Sequence, residues 1–503
     1  MTTTLATLSR RHLLAGISGL AGLGLTGGRA EVLTSPRPVA RGTPVAAAPR
    51  PDPAAATRAL IARTKLSGAV SCLVIDAASG ATVAEVDPGL GLPPASVLKS
   101  VTAAYAFDLL GPGWHFTTRL IGTGPLRNGR LEGDLVLAGG GAPDLDTDGL
   151  AQLAFQLRMN GVAEIAGHFL VWDGALPRID KIDPGQPDHL GYNASVSGLN
   201  LNYNRVHFGW RQAGADYVLR MEAGDGGGAP QVTHSAMQLA ARSKPLYSFA
   251  TEADTGREVW SVARGALGTG GTRWLPVRDS ALYAGEVFQS LALAEGIRLP
   301  AARRTGVAPR GAVLASLESP SLFSVAEGML AWSNNLTAEV LGLSATAAHR
   351  GTQPLSLADS ATDMTQWAHG ALGMGSSSFV DHSGLGPGSR VTAADLCAAY
   401  RRLGTAGTLR RALKEIPLRD ADGRTLPVLV QAKTGTLNFV SALAGYVQPF
   451  DGDPMIFAIL TADLGQRALV PPGEEDAPPG AAWWANRSRG MQRELLKLWS
   501  GVA

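Results

Sequence analysis

With two cysteines in 503 residues, Cys72 and Cys397, the chain cannot be a disulfide-stapled scaffold. One sits in an apolar strand-like run and the other in a helical stretch; each reads first as a small buried hydrophobe, with a Cys72–Cys397 bridge in an oxidising compartment as the alternative. The nine histidines lie singly. There is no HExxH helix and no paired CxxC, so a metal site has no ligand spacing to start from and no cofactor is expected. A GxSxG elbow and a Walker loop are also missing, which leaves a Ser-His-Asp hydrolase or a phosphate-cradling loop without support. No run of basic residues marks a nucleic-acid face, and the formal net charge is only +2. Long apolar runs are lacking too. The best candidate, Leu13 to Leu25, is too short and too glycine-rich to span a bilayer as a stable helix.

That N-terminal stretch has another reading. Ser9-Arg10-Arg11-His12, the apolar stretch and Gly27-Gly28-Arg29-Ala30 have the layout of an export signal, expected over residues 1–30. The paired arginines resemble a twin-arginine signal, and an ordinary Sec signal is the alternative. Its removal would take three positive charges with it and leave no transmembrane anchor in the mature chain. Gly22-Leu23-Gly24-Leu25-Thr26-Gly27 fits GxGxxG by letter, but it follows no strand and lies within the signal, so it carries no dinucleotide reading. Residues 31–53, rich in Pro, Ala and Arg, read as a linker.

What the chain does contain is an ordered set of three strings: Ser96-Val97-Leu98-Lys99, Ser333-Asn334-Asn335 and Lys433-Thr434-Gly435. They fit SxxK, SxN and KTG elements of a serine acyl-transfer site. Of seven lysines, only Lys99 has a serine three residues before it. Apolar residues from Val97 to Leu110 fall at helical spacing, so Ser96 is expected at a helix N-terminus with Lys99 one turn along the same face. A serine hydroxyl attacks a carbonyl only if a neighbour takes its proton, and a lysine does so only when burial or a nearby cation keeps it neutral. Lys99 has the spacing for that role, and Lys433 supplies the second cation. Ser333 is placed to relay a proton to the leaving amine, and Asn335 to hydrogen-bond the substrate. Thr434, Gly435 and Thr436 offer a strand edge and donors for a carboxylate, with the N–H groups of Ser96 and Thr436 as oxyanion donors.

The coarse pattern is α+β. Strand-like runs at Ala69 to Asp76 and Ala81 to Val86 precede the first motif. Runs at Pro427 to Lys433, Ser441 to Val447 and Met455 to Leu460 come late, followed by a helix from about Ala481 to Trp499. One antiparallel sheet flanked by helices accommodates them. The texture from Phe116 to Pro309, with short strand-like runs such as Leu131 to Ala138 and Gly167 to Asp173, reads as an insertion. It leaves a discontinuous catalytic domain over residues 54–115 and 310–503, with 116–309 as an inserted region, and Lys433 near the end of a strand.

Beyond the motifs, the segments Leu131-Glu132-Gly133-Asp134-Leu135, Leu199-Asn200-Leu201-Asn202-Tyr203-Asn204, Leu336-Thr337-Ala338-Glu339 after the second motif, and Ser383-Gly384-Leu385 extend the likeness from about Leu60 to the C-terminus. On these residues the chain resembles the penicillin-binding protein 4 type of D-alanyl-D-alanine carboxypeptidase/endopeptidase, the S13 peptidase family. The resemblance implies a penicillin-recognising transpeptidase/β-lactamase-like domain whose insertion forms two small domains. It further implies peptidoglycan stem peptides as substrate and β-lactams as covalent inhibitors of Ser96, while the export signal sets the expected location as the periplasm. Two departures stand out: Gly141-Ala142-Pro143 where the family has Gly-Asp-Pro, with Asp144 following, and Asp381-His382-Ser383 with His where Gly is general, followed by Gly386-Pro387 for Ser-Arg. They bear on which side chain of the stem peptide is read. A β-lactamase or esterase/amidase on the same fold, and a non-catalytic cell-wall binding protein, are the competing readings.

Overall fold

A computed structural model describes residues 52–471 and 476–502. The export signal and almost all of the expected linker lie outside the described residues. The first helix, Pro53–Thr64, has proline at its start, and the Asp52 carboxylate accepts from the N–H groups of Ala54 and Ala55. Both features satisfy or remove N–H groups that a helix start leaves unpaired.

The five-stranded sheet at the centre of the catalytic part has the order Val428–Leu437, Val440–Pro449, Met455–Ala462, Ala69–Asp76, Thr82–Val86. Every neighbour is antiparallel, and Ala69 pairs with Ala462 in the register that joins its early and late strands. The eight residues of Met455–Ala462 are all buried, so both faces of the sheet must be covered. Alternation sorts the side chains. Cys72, Val74, Phe457 and Ile459 meet Leu495, Leu496 and Trp499 of the terminal helix Ala481–Ser500 on one face. Leu73, Ile75, Ala458 and Leu460 face the core that contains the helix Leu98–Leu110. The two cysteines are free and buried. Cys72 belongs to the first of these faces and Cys397 to the second, where its thiol donates to the Leu73 carbonyl. Burial pushes the Cys72 thiol up to about 12, so it is an inert apolar group.

A second five-stranded sheet, ordered Arg303–Arg304, Phe169–Trp172, Leu135–Ala138, Thr117–Gly122, Ala312–Glu318, forms the frame of the inserted region. Its last strand pairs antiparallel with Thr117–Gly122, so hydrogen bonding carries this sheet past the boundary expected at residue 310. The run from Leu131 to Ala138 is not one strand: Arg130–Leu131 and Leu135–Ala138 belong to different sheets. The break comes where Asp134 turns away, its N–H held by Thr123 Oγ1 and its carboxylate by the His168 N–H. The Lys433 strand also differs from expectation. It runs on to Leu437, because the ladder with Val440–Pro449 continues through Gly435 opposite Ala442. Lys433 therefore sits inside the strand.

Candidate active site

The Ser96 turn is built by close backbone approach. Ala95 has φ 45°, and Ala95–Val97 form a single 3-10 turn that leads into the helix Leu98–Leu110. A Cβ on Gly384 would lie 1.9 Å from the Ala95 carbonyl oxygen, and one on Gly435 would lie 2.9 Å from the Ser96 nitrogen. Only glycine lets both segments close on the nucleophile from opposite sides. The edge strand contributes differently along its length. Segment 414–416 covers its first half, through Ala432 N–H to the Lys414 carbonyl and Ile416 N–H to the Val430 carbonyl. Beyond that point Thr434 and Thr436 are exposed while Lys433 is buried, and of the two threonines Thr436 lines the cleft.

Lys99 is wholly buried, at 0% exposure. Its Nζ lies 2.8 Å from Ser96 Oγ, 2.7 Å from Asn335 Oδ1 and 2.8 Å from the Ser383 carbonyl. Burial, then the Lys433 cation, brings its pKa down to about 7, against the opposing pull of Glu339 and Asp381. This geometry serves both protonation states. The ammonium has three protons for three acceptors; the amine keeps two for Asn335 and Ser383 and turns its lone pair to the Ser96 hydroxyl.

Ser333 has φ 61° and ends the helix Leu322–Trp332, and Asn334 caps the following helix Asn335–Arg350 by accepting from the Thr337 N–H. The string is thus a turn and a cap as well as a site. Lys433 Nζ donates to Ser333 Oγ at 3.0 Å and to the Thr434 carbonyl at 2.8 Å, and burial lowers its pKa to about 8. Asn335 is held at both ends, since its Nδ2 donates to the Tyr192 carbonyl of the inserted region. Ser96, Ser333, Asn335 and Thr436 line one cleft of about 520 Å³, together with Tyr192 and Arg467.

Sequence reasoning quoted Glu339 and Ser383 as part of a likeness but gave neither a task. Glu339, fully buried, accepts from the N–H groups of His382 and Ser383 and so fixes the loop whose carbonyl receives Lys99. Asp381 holds the other side of that loop through the N–H groups of Gly384 and Gly386. Burial raises the pKa of both carboxyls. One signal was available: Glu339 is the only acid between Leu336 and Leu343, among residues that are otherwise apolar or small. His382 does not line the cleft. Its ring points into the core, with Nε2 at 2.8 Å from Ser360 Oγ and Nδ1 at 3.4 Å from Met364 Sδ, and burial lowers its pKa to about 3. It lies against Gly342, where a Cβ would come within 2.1 Å of the ring. The His departure is therefore absorbed by a glycine on a neighbouring helix.

Among the described residues no three or more His, Cys, Asp or Glu are grouped to hold a metal ion, and no helix is long and apolar enough to cross a membrane. The chain is 26% identical over 450 residues to a D-alanyl-D-alanine carboxypeptidase of Actinomadura sp. (strain R39), covering 83% of this chain and 82% of that protein. Its fold is similar to that of penicillin binding protein 4 from Haemophilus influenzae, with TM-score 0.71 and 19% identity over 88% of this chain and 99% of the other. A structure of the same Haemophilus protein complexed with a β-lactam aligns with TM-score 0.67, also at 19% identity and with the same coverage. Residues 54–477 match the family described as D-Ala-D-Ala carboxypeptidase 3 (S13), and the chain belongs to that family of serine-type peptidases.

Proposed function

We propose that this chain hydrolyses the D-Ala-D-Ala bond of peptidoglycan stem peptides, or the equivalent bond of a cross-bridge, through an acyl-enzyme on Ser96. Lys99 in its amine form takes the Ser96 proton as Oγ attacks the carbonyl carbon. The oxyanion is received by the N–H groups of Ser96 and Thr436. Ser333, polarised by Lys433, passes its proton to the departing amine nitrogen and is reprotonated from the Lys99 ammonium, which returns Lys99 to its amine form as D-Ala or the donor strand leaves. Water then attacks the ester, Lys99 again takes the proton, and Ser96 is regenerated. Thr434, Thr436 and Lys433 bind the substrate's terminal carboxylate, Gly435 lets the peptide lie along the strand edge, and Asn335 holds its amide. A β-lactam acylates the same serine and stays, and the site of action is the periplasm.

One observation carries the reading: a fully buried lysine 2.8 Å from the serine hydroxyl, with its pKa lowered into the neutral range. The test is incubation with a labelled penicillin, mass-spectrometric location of the adduct, and digestion of cross-linked muropeptides in parallel. An adduct on Ser96 that disappears in Ser96→Ala, with D-Ala release, is the expected result. A labelled protein whose adduct lies elsewhere, or neither D-Ala release nor cleavage of dimers, overturns it. Nitrocefin turnover with fast recovery would make the chain a β-lactamase instead.

A further inference from the structure

The cleft at Ser96 does not end at Ser333. Behind Ser333 and Asn335 it continues into a cavity of about 140 Å³ that is also lined by Tyr203, Arg205 and Trp332. Those three residues line the next cavity as well, of about 420 Å³, which reaches Asp144. From there Asp144, Tyr203 and Arg205 lead into a third, of about 540 Å³, bordered by Trp274. The two larger volumes are of the size that binds small organic groups. Together the three form a trough leading away from the nucleophile between the Ser333 turn and the inserted region.

The lining of the trough has a definite chemistry. Trp332 is 85% exposed and Tyr203 37%, large aromatic faces presented to solvent at its rim. Arg205 lies 5.5 Å over the rings of both Tyr203 and Trp274. Its Nε is buried without a hydrogen-bond partner, and so is Asp144 Oδ1, yet no ion pair joins the two residues. A donor and an acceptor left open in one trough suit a ligand rich in hydroxyls and amides, and the carboxylates of Asp146, Asp148 and Asp225 at its far end disfavour an anionic one. Flat aromatic faces suit the C–H faces of sugar rings. Asn202, Tyr203 and Asn204 all have φ between 50° and 55°, a costly backbone for non-glycine residues. That turn is held by Asn202 Nδ2 bonds to Thr147 Oγ1 and the Ala223 carbonyl. It sets Tyr203 and Arg205 at the trough.

We propose that this trough binds the glycan strand of peptidoglycan, stacking its N-acetylated sugar rings on Trp332 and Tyr203 and hydrogen-bonding them through Asp144 and Arg205. The inference rests on the hydrolase reading above. It makes the enzyme one that prefers stem peptides still attached to sugar.

The test compares one stem pentapeptide, free and linked to its N-acetylated disaccharide or a longer glycan, as substrates of the wild-type, Trp332→Ala and Asp144→Asn proteins. The expected result is a wild-type preference in kcat/KM of about tenfold or more for the glycan-linked form, an increment of about 1.4 kcal/mol. Both variants should bring that preference close to unity while leaving free-peptide hydrolysis and penicillin acylation unchanged. No wild-type preference, or one that survives both variants, overturns the proposal. So does an equal loss in Trp332→Ala on peptide dimers stripped of glycan, which would assign the trough to the second peptide. If penicillin gives no adduct and no peptide is cleaved, the hydrolase reading fails by itself. The trough is then read by titrating an N-acetylglucosamine oligomer into Ser96→Ala and following tryptophan fluorescence. Saturable binding lost in Asp144→Asn supports it, and no binding overturns it.

Discussion

Gly342→Ala should damage this protein at a position where alanine would normally help. Gly342 lies inside the helix Asn335–Arg350 and has no positive φ, so the backbone admits alanine. In an exposed helix interior the exchange stabilises by about 1 kcal/mol. Here the new methyl would stand 2.1 Å from His382 Cγ and 2.2 Å from its Nδ1, and the ring is fully buried against Ser360 and Met364. Overpacking of this kind costs about 1–3 kcal/mol, and loss of the ring's hydrogen bond to Ser360 adds about 1 kcal/mol. The net expectation is a loss of about 1–3 kcal/mol. The effect should also reach the chemistry, because the His382 and Ser383 N–H groups are fixed on Glu339 and the Ser383 carbonyl receives Lys99. Urea denaturation gives the stability, and the second-order rate of penicillin acylation gives the effect on the site. In a His382→Ala background the same Gly342→Ala change should turn neutral or stabilising, since the clash is gone. A Gly342→Ala protein as stable as wild type, or an equal penalty with and without His382, would refute the reasoning.

Three further outcomes are expected. The penicillin acylation rate should rise with pH through about 7 as Lys99 loses its proton, and fall above about 8 as Lys433 loses the charge that polarises Ser333; a stopped-flow profile without the acid limb would speak against Lys99 as base. Glu339→Gln leaves one side-chain oxygen for two backbone N–H groups, so it should cost about 1–3 kcal/mol of stability and slow acylation at least about tenfold, measured by denaturation and by adduct formation. His382 is neutral in the folded protein down to about pH 3 but takes a proton near 6.5 when unfolded. The unfolded state therefore binds more protons in that window, so stability should fall from pH 6.5 toward 3, with a shallower slope in His382→Ala by denaturation midpoints across that range.

The sequence made the nucleophile end of the site readable because Ser96 and Lys99 are three residues apart, and helical geometry alone brings their side chains together. The sheet was readable for a similar reason: its strands are short apolar runs bounded by turn residues, and only the exact ends moved, as when the Lys433 strand ran past Gly435. The loop that receives Lys99 was not readable. Its contacts join Glu339 to His382 and Ser383 across 43 and 44 positions, and Lys99 to Ser383 across 284, separations no local pattern encodes. The fit of His382 to Gly342 failed for the same cause. A substitution that looked like altered substrate reading was compensated on another helix.

The strand pairing of Ala69–Asp76 with Met455–Ala462 also imposes a timetable. Ala69 and Ala462 are partners across 393 positions, and Trp499 Nε1 donates to Thr57 Oγ1 across 442. At typical rates of synthesis, roughly 20 to 80 s separate the appearance of the two halves of that ladder. Ser96 and Lys99 are made early in that interval, whereas Asn335, Ser383 and Lys433 follow only in its last third, so until then the lysine is an ordinary solvated cation and the serine an ordinary alcohol. The chain is born inert, and its reactivity appears only when its last strands close on its first.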